Sequence, residues 1–304
     1  MNKEIIRVWF EDMWGYEQYL FNINDNYFTN MLSLKYDVVL DENAPDLLIY
    51  SCFSKNHLRY NGRCKKLFYC GENISPSDPT RKLDADLSEC DMFLGKFPTD
   101  DVHYYHPLWV MFVDWFKQNQ PRPLPSNPTY HVNLSGLTAR TNVIGEKKFC
   151  CFINNNPIKN RMELFSGLSR HKKVDSYGSL LNNVGYDLRG SEEDKIKVLQ
   201  NYKFSIAYEN SHFPGYITEK IIHPYSVGSI AIYSGGFDRE VFNNRSMVLR
   251  EDYSTLQDMI DRVIDIDEND DLYQEYLSQP LFVGDRIGDQ FYPDRVLRWI
   301  EDRL

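Results

Sequence analysis

Residues 201–236, NYKFSIAYENSHFPGYITEKIIHPYSVGSIAIYSGG, constrain the fold more tightly than any other part of the chain. A first apolar run, 203–208, has strand length and is rich in aromatics; a second, 229–233, is closed by Gly235-Gly236. Between them Thr218 is placed to cap a helix carrying Glu219, Lys220, Ile221 and Ile222. The product is a strand–loop–helix–strand unit that gathers Glu209, Asn210, Tyr216, Glu219 and Lys220 at the helix entrance. Orphan backbone N–H groups and the helix dipole make such an entrance attractive to an anion.

The same alternation runs through the rest of the chain. Residues 5–10, 37–40, 46–51 and 66–70 read as strands, with a crossover helix over 27–34. A second series opens with a strand at 148–153 and a helix at 161–170. It continues with a helix begun in capping-box fashion by Ser191 and Asp194, and with a late helix at 256–264. Strands alternating with helices predict an α/β protein with parallel sheets, binding its ligands at the carboxyl ends of the strands. Pro121, Pro123, Pro125 and Pro128 mark 118–146 as the connection between two domains, 1–140 and 141–304. A last helix near 295–304 is expected to cross back onto the first domain.

At 304 residues there is ample length for buried cores, and 42% hydrophobic with 26% charged residues is the balance of a folded protein. The net charge of −10 argues against nucleic acid and anionic lipid as partners, while leaving room for a local basic pocket. No apolar run approaches the ~18 residues of a membrane span, and the start, MNKEIIRVWFEDMW, lacks the pattern of a signal peptide. Six cysteines without a C-x-x-C pair, two of them adjacent at Cys150-Cys151, do not read as a disulfide framework, and a reducing cytoplasm is expected. The seven histidines have no metal-ligand spacing. Asp84-x-Asp86 and Asp265-x-Asp267 lie in acidic stretches that read as solvated surface, so no metal is expected.

The 201–236 segment resembles the donor-site signature of the family 10 glycosyltransferases, the α-1,3/4-fucosyltransferases. The matching residues are Phe204, Tyr208-Glu209-Asn210, Tyr216-Ile217-Thr218-Glu219-Lys220 and Tyr233-Ser234-Gly235. Further matches are Asn156-Pro157, Arg161 and Val174-Asp175-Ser176 in the second half. In the first half they are Pro45-Asp46-Leu47-Leu48 and the run from Lys65 to Asn73 that ends Cys70-Gly71-Glu72-Asn73. The resemblance implies a GT-B architecture, with two Rossmann-like domains across a cleft, an N-terminal one for the acceptor and a C-terminal one for the GDP-sugar. It implies Arg161 and Lys220 on the diphosphate, where a forked guanidinium and a point-like ammonium replace a metal. Glu219 would accept from the ribose hydroxyls, with Tyr216 and Asn210 lining the pocket. Glu209 would either bind the transferred sugar or orient Arg161. Glu72, on the turn after a strand, would be the base of a direct inverting displacement.

The implied reaction moves L-fucose from GDP-fucose to a GlcNAc hydroxyl (α-1,3 or α-1,4) of a glycan such as a lipopolysaccharide O-antigen or an N-acetyllactosamine-type oligosaccharide. The donor is then a substrate and no other cofactor is needed; the partners are the GDP-sugar and the glycan, in the cytoplasm or at the inner face of the membrane. Two alternatives stand beside this: another GDP-sugar or acceptor, and a non-catalytic nucleotide- or carbohydrate-binding protein. Each site residue also has an ordinary reading: an exposed helix turn for Glu219 and Lys220, a helix brace for Arg161, a loop contact for Glu72. Three departures from the family pattern are Ala231 after Ile230, His106 before Pro107-Leu108, and Pro224 inside the expected donor helix, which it should bend. Trp14, Tyr16 and Trp109 are candidates to stack on acceptor sugars, and His106 to touch them.

Overall fold

An apolar run buried on both faces of a parallel sheet must be covered by helices, and this rule organises both halves of the chain. The computed structural model describes residues 3–14, 21–73, 87–116, 132–140, 145–188 and 192–304. It divides into one unit formed by 1–130 with 288–304 and a second formed by 131–287. The division thus falls at 130/131 rather than at the expected 140/141. Segment 132–140 packs within the second unit, where the Arg140 guanidinium lies 4.3 Å over the Tyr225 ring and donates to the carbonyls of Tyr276 and Ser246. The prolines at 121, 123, 125 and 128 lie outside the described residues.

In the first unit, β1 (Glu4–Glu11), β2 (Tyr36–Leu40), β3 (Leu47–Tyr50), β4 (Lys65–Tyr69), β5 (Met92–Gly95) and β6 (His103–Tyr105) make one parallel sheet in the order β2-β1-β3-β4-β5-β6. β3 and β5 are buried at every residue, whereas the edge strand β2 alternates between half-buried and exposed. Helix α1 (Tyr27–Leu32) begins with the Asn26 side chain accepting from the N–H groups of Phe28 and Thr29. The helix Pro293–Glu301 belongs to this unit: Trp299 packs on Tyr104 with ring centroids 5.4 Å apart, and Glu301 accepts from the Tyr36 hydroxyl at 2.9 Å.

A buried polar clamp ties the end of β1 to the loops beside it. Asp12, at φ 56°, accepts from Ser54 Oγ and from the N–H groups of Asn56 and His57. His57 stands between Asp12 (Nδ1, 2.5 Å) and Glu89 (Nε2, 2.8 Å). Burial disfavours the imidazolium, but the hydrogen bonds to the two carboxylates outweigh it and raise the His57 pKa above 6.5; Asp12, against its own desolvation, is lowered below 3.8. Stability from the raised histidine is complete below 6.5 and fades as pH climbs through its folded pKa, while that from Asp12 is complete above 3.8 and fades below it. His57→Gln is therefore expected to lower Tm by roughly 2–5 °C, most between pH 4 and 6.5 and least in alkali. A deficit that is flat across pH would show that the clamp acts through packing alone.

In the second unit, α2 (Leu134–Thr138) precedes a parallel sheet of β7 (Lys148–Phe152), β8 (Val174–Ser176), β9 (Tyr202–Tyr208), β10 (Ile230–Ser234) and β11 (Val248–Leu249), ordered β8-β7-β9-β10-β11. One face is covered by α3 (Lys159–Leu168) and α6 (Leu256–Glu268), whose Leu164, Leu168, Met259 and Val263 pack on Phe152, Phe204 and Ile206. On the other face Leu199, from α4 (Glu192–Leu199), packs with Cys151, Tyr177 and Tyr202. α6 opens with a reciprocal capping box between Thr255 and Asp258 and buries the stripe Met259, Ile260, Val263, Ile266.

Two expectations are corrected here. Asp267 is not solvated surface: it is buried and paired with Lys172 at 2.5 Å, Lys203 at 3.2 Å and His171 at 3.0 Å, which fastens the end of α6 to the sheet. Pro224 does not bend a helix. α5 spans only Ile222–Ser226, so the proline falls in its first turn, where its missing N–H has no partner to lose. All six cysteines are free thiols, four of them buried. Among the described residues no helix is long and apolar enough to cross a membrane.

Candidate functional site

The order of the second sheet reverses between β7 and β9, so the chain leaves these two neighbours in opposite directions and a crevice opens at their carboxyl ends. A cavity of about 220 Å³ lies there. Its walls include Asn154, Asn155 and Asn156 after β7, Asn210 after β9, Glu219, Lys220 and His223 from the turn before and into α5, and Lys195 on α4. Gly178 lets the chain close over the asparagine loop, since a Cβ there would lie 2.0 Å from the Asn154 carbonyl oxygen.

Glu209 organises the turn. Its buried carboxylate accepts from the Thr218 N–H at 2.8 Å, from the Thr218 hydroxyl at 2.8 and 3.0 Å and from the Tyr233 hydroxyl at 3.2 Å, and lies 3.4 Å from Lys220 Nζ. Gly235 leaves space for it, because a Cβ at that position would stand 2.5 Å from Glu209 Cγ. The helix does not start at the expected place: 218–221 is a turn in which Thr218 Oγ1 accepts from the Lys220 N–H at 3.5 Å, and α5 starts at Ile222 without a side-chain cap. Five helical residues supply little dipole, so the pull on an anion comes from side chains.

Lys220 bridges two carboxylates, at 3.3 Å from Glu219 and 3.4 Å from Glu209. Burial works against its charge, but Glu219 and Glu209 outweigh it and raise the ammonium pKa. Burial would likewise raise Glu219; Lys220, Lys195 and His223 instead pull it down to about 2. Glu209 is raised, first by its burial and then by the like charge of Glu219, against Lys220 and Thr218.

Arg161 lies on the buried stripe of α3 with Leu164 and Leu168 and has no solvent exposure. One guanidinium nitrogen, Nη2, donates to the Tyr208 carbonyl at 2.5 Å and to Asn210 Oδ1 at 2.9 Å, while Nε and Nη1 are buried with no acceptor. Burial lowers its pKa, partly offset by Glu209, Tyr216 and Glu219. Arg161, Glu209 and Tyr216 sit behind the cavity wall; Asn210, Glu219 and Lys220 form part of it. Of the two roles open for Glu209, its hydrogen bonds run to the Thr218–Lys220 turn and none runs to Arg161.

Glu72 belongs to the first unit. It is half-buried, on the turn after β4; Cys70 Sγ donates to its carbonyl at 3.5 Å, and the side-chain Oδ1 of its neighbour Asn73 accepts from Lys96. Gly71 packs closely under Leu108 and Tyr69 at this turn, since a Cβ would meet Leu108 Cδ1 at 2.6 Å and the Tyr69 hydroxyl at 2.9 Å.

The aromatic candidates divide. Trp109 is fully buried against Phe291, 4.9 Å between rings, and is unavailable to a sugar; Trp14 is half-buried against Phe21 and Tyr69; Tyr16 lies outside the described residues. His106 is core, packed edge-on to Tyr27 and Tyr69, and burial drives its pKa down to about 3, so it is a neutral imidazole. Among the described residues no group of three or more His, Cys, Asp or Glu is arranged to hold a metal; Asp84 and Asp86 lie outside them. Sequence reasoning missed Lys195 and His223, because their place on the cavity depends on how α4 and α5 dock rather than on any motif.

Residues 8–112 match the family described as "Alpha-(1,3)-fucosyltransferase FucT N-terminal domain", and 145–279 match "Glycosyltransferase family 10 (fucosyltransferase) C-term". The chain is similar to the α-(1,3)-fucosyltransferase FucT of Helicobacter pylori, 26% identical over 268 residues that cover 82% of this chain and 55% of the relative. It is also similar to the GDP-fucose protein O-fucosyltransferase 3 of Danio rerio, 31% identical over 212 residues, covering 62% and 45%. It thus spans about half the length of these curated relatives. A crystal structure of an α1,3-fucosyltransferase with GDP-fucose superposes with a TM-score of 0.72 at 20% identity, over 99% of this chain and 91% of that one, which gives the fold as GT-B with Rossmann-like α/β units. With one family match in each unit, and the two together spanning most of its length, the chain belongs to glycosyltransferase family 10.

Proposed function

We propose that this protein is an inverting fucosyltransferase that moves L-fucose from GDP-fucose to a GlcNAc hydroxyl of a glycan, in α-1,3 or α-1,4 linkage, and that it needs no metal. The observation that carries this reading is the cation pair at the crevice: Lys220 on the cavity wall, and behind it Arg161 with buried N–H groups that lack an acceptor. A buried cation without a carboxylate partner is costly unless an anion completes it, and the diphosphate of a nucleotide sugar has that chemistry. In this reading 131–287 bind the donor, with Glu219 accepting from the ribose hydroxyls and Asn210 and Tyr216 shaping the pocket, while the first unit takes the acceptor.

The acceptor oxygen attacks C1 of the fucose as the bond from C1 to the phosphate oxygen breaks on the opposite face. The departing GDP keeps the electron pair, its charge met by Lys220 and Arg161, and Glu72 takes the hydroxyl proton. Glu209 acts through the turn it holds, keeping Thr218–Lys220 in place. The six thiols suit a reducing compartment, and a cytoplasmic location is part of the reading.

The test is GDP release from GDP-fucose in EDTA, with and without N-acetyllactosamine, the product being weighed by mass spectrometry. Acceptor-stimulated release with a gain of one fucose supports the proposal. Tight GDP binding without release on any donor or acceptor would leave a nucleotide-binding protein in its place. The similarity to a protein O-fucosyltransferase favours a second reading, in which the acceptor hydroxyl belongs to a protein. A panel of folded protein acceptors beside the glycan separates the two.

A further inference from the structure

Two of the buried thiols are brought together by strand register. β3 and β4 run parallel with Tyr50 opposite Phe68, and the same offset, carried two residues past the paired stretch, sets Cys52 opposite Cys70. Side chains alternate along a strand, so Leu48, Tyr50 and Cys52 share one face of the sheet with Phe68 and Cys70, and all five lie in one buried cluster. The two Sγ atoms are 3.7 Å apart, and both are free thiols. Neighbouring strands lie about 4.8 Å apart, inside the Cα separation of about 4.4–6.8 Å that a disulfide spans. Cys70 also meets the turn of Glu72. Its single S–H has two acceptors in reach, the Glu72 carbonyl at 3.5 Å and Cys52 Sγ at 3.7 Å.

We propose that Cys52 and Cys70 are a dithiol modification site, closed to a disulfide by a hydroperoxide, and that closure takes Glu72 out of position. The second part rests on the reading of Glu72 as the base. A disulfide removes the proton that Cys70 offers to the Glu72 carbonyl and draws the sulfurs to about 2.05 Å. Gly71, the one residue between Cys70 and Glu72, is packed closely under Leu108 and Tyr69, so the shift passes on to Glu72. The reaction balances with hydrogen peroxide. One thiolate attacks a peroxide oxygen and breaks the O–O bond, giving a sulfenic acid and water. The second thiol then attacks the sulfenic sulfur, forms the S–S bond and releases a second water. Two electrons pass from the thiols to the peroxide, and the two thiol protons leave in the waters. Cys52 and Cys70 are 4% and 3% exposed, which favours the smallest oxidants. Burial, and then Cys52, raise the Cys70 thiol well above 9, so thiolate is scarce at neutral pH and the first step quickens as pH rises. In a reducing compartment such a bond is a transient, sensing one.

The experiment treats the full chain with hydrogen peroxide at about pH 7 and about pH 9, and maps its peptides without reduction. The expected product joins Cys52 to Cys70, is two hydrogens lighter, forms faster at the higher pH and is parted by dithiothreitol. As it forms, turnover should fall about tenfold to a hundredfold and return on reduction. GDP affinity should stay within about twofold, because the crevice proposed for the donor belongs to 131–287. Cys52→Ala and Cys52→Ser, each checked by thermal unfolding, should keep turnover within about twofold and lose the response to peroxide. Three results would overturn the proposal: no linked peptide, a link that leaves turnover unchanged, or inhibition that persists in both Cys52 variants. Wild-type protein without turnover before oxidation would instead remove the proposed function, and the peptide map would still decide whether the pair closes.

Discussion

Glu72→Gln should lower turnover by about 10²–10⁴-fold with the affinity for GDP unchanged. The amide keeps the size and shape of the carboxylate, so the turn made by Gly71, Glu72 and Asn73 retains its anchors to Cys70 and Lys96. What it cannot do is accept the proton of the attacking hydroxyl. GDP affinity is expected to survive because every residue of the crevice at the ends of β7 and β9 comes from the second unit, 131–287. Turnover measured by GDP release, with GDP binding measured by calorimetry, separates the two effects. A variant as fast as the wild type would take Glu72 out of the base role; one that lost GDP affinity as well would point to damage beyond the carboxylate.

Removal of the Lys220 ammonium is expected to have the largest effect on folding. In Lys220→Met, Glu209 and Glu219 lose the cation between them, and Glu209 keeps only its bonds to Thr218 and Tyr233. Breaking a buried pair by deleting one partner costs about 3–5 kcal/mol, and a lost phosphate contact weakens GDP binding by about tenfold or more. The folding deficit should shrink as pH falls, because protonating Glu209, already raised by its burial, removes the repulsion between the two carboxylates. Urea denaturation at several pH values and calorimetry with GDP check both parts. Wild-type stability with wild-type GDP affinity would place Lys220 on the surface after all.

How much of this was legible in the sequence differs from element to element. The strands were, because a run such as 203–208 is too short and too apolar for anything but a covered strand, and β9 extends it by one residue at Tyr202. The late helix expected at 256–264 was too, although it runs on to Glu268. The turn at Thr218 was misread because the sequence cannot say that Glu209, nine positions earlier, will claim both the hydroxyl and the N–H of the threonine. Asp267 was misread for the same kind of reason: an acidic stretch looks solvated until Lys172, Lys203 and His171 converge on it from other elements. Within the site, the residues carried by contiguous motifs were legible. Lys195 and His223 were not, since neither belongs to a site motif and each meets the cavity only through the packing of its helix.

The first unit takes its residues from both sides of the second, 1–130 and 288–304. On the ribosome, this fixes an order of events. Residues 131–287 are contiguous and can complete their own five-stranded sheet as soon as they have emerged. The six-stranded unit, begun earlier, stays open over Tyr104, Trp109 and Tyr36 until the stretch with Phe291, Trp299 and Glu301 has been made. The part synthesised first is therefore the last to close, and its unfinished apolar surface is what a chaperone would find exposed on the nascent chain.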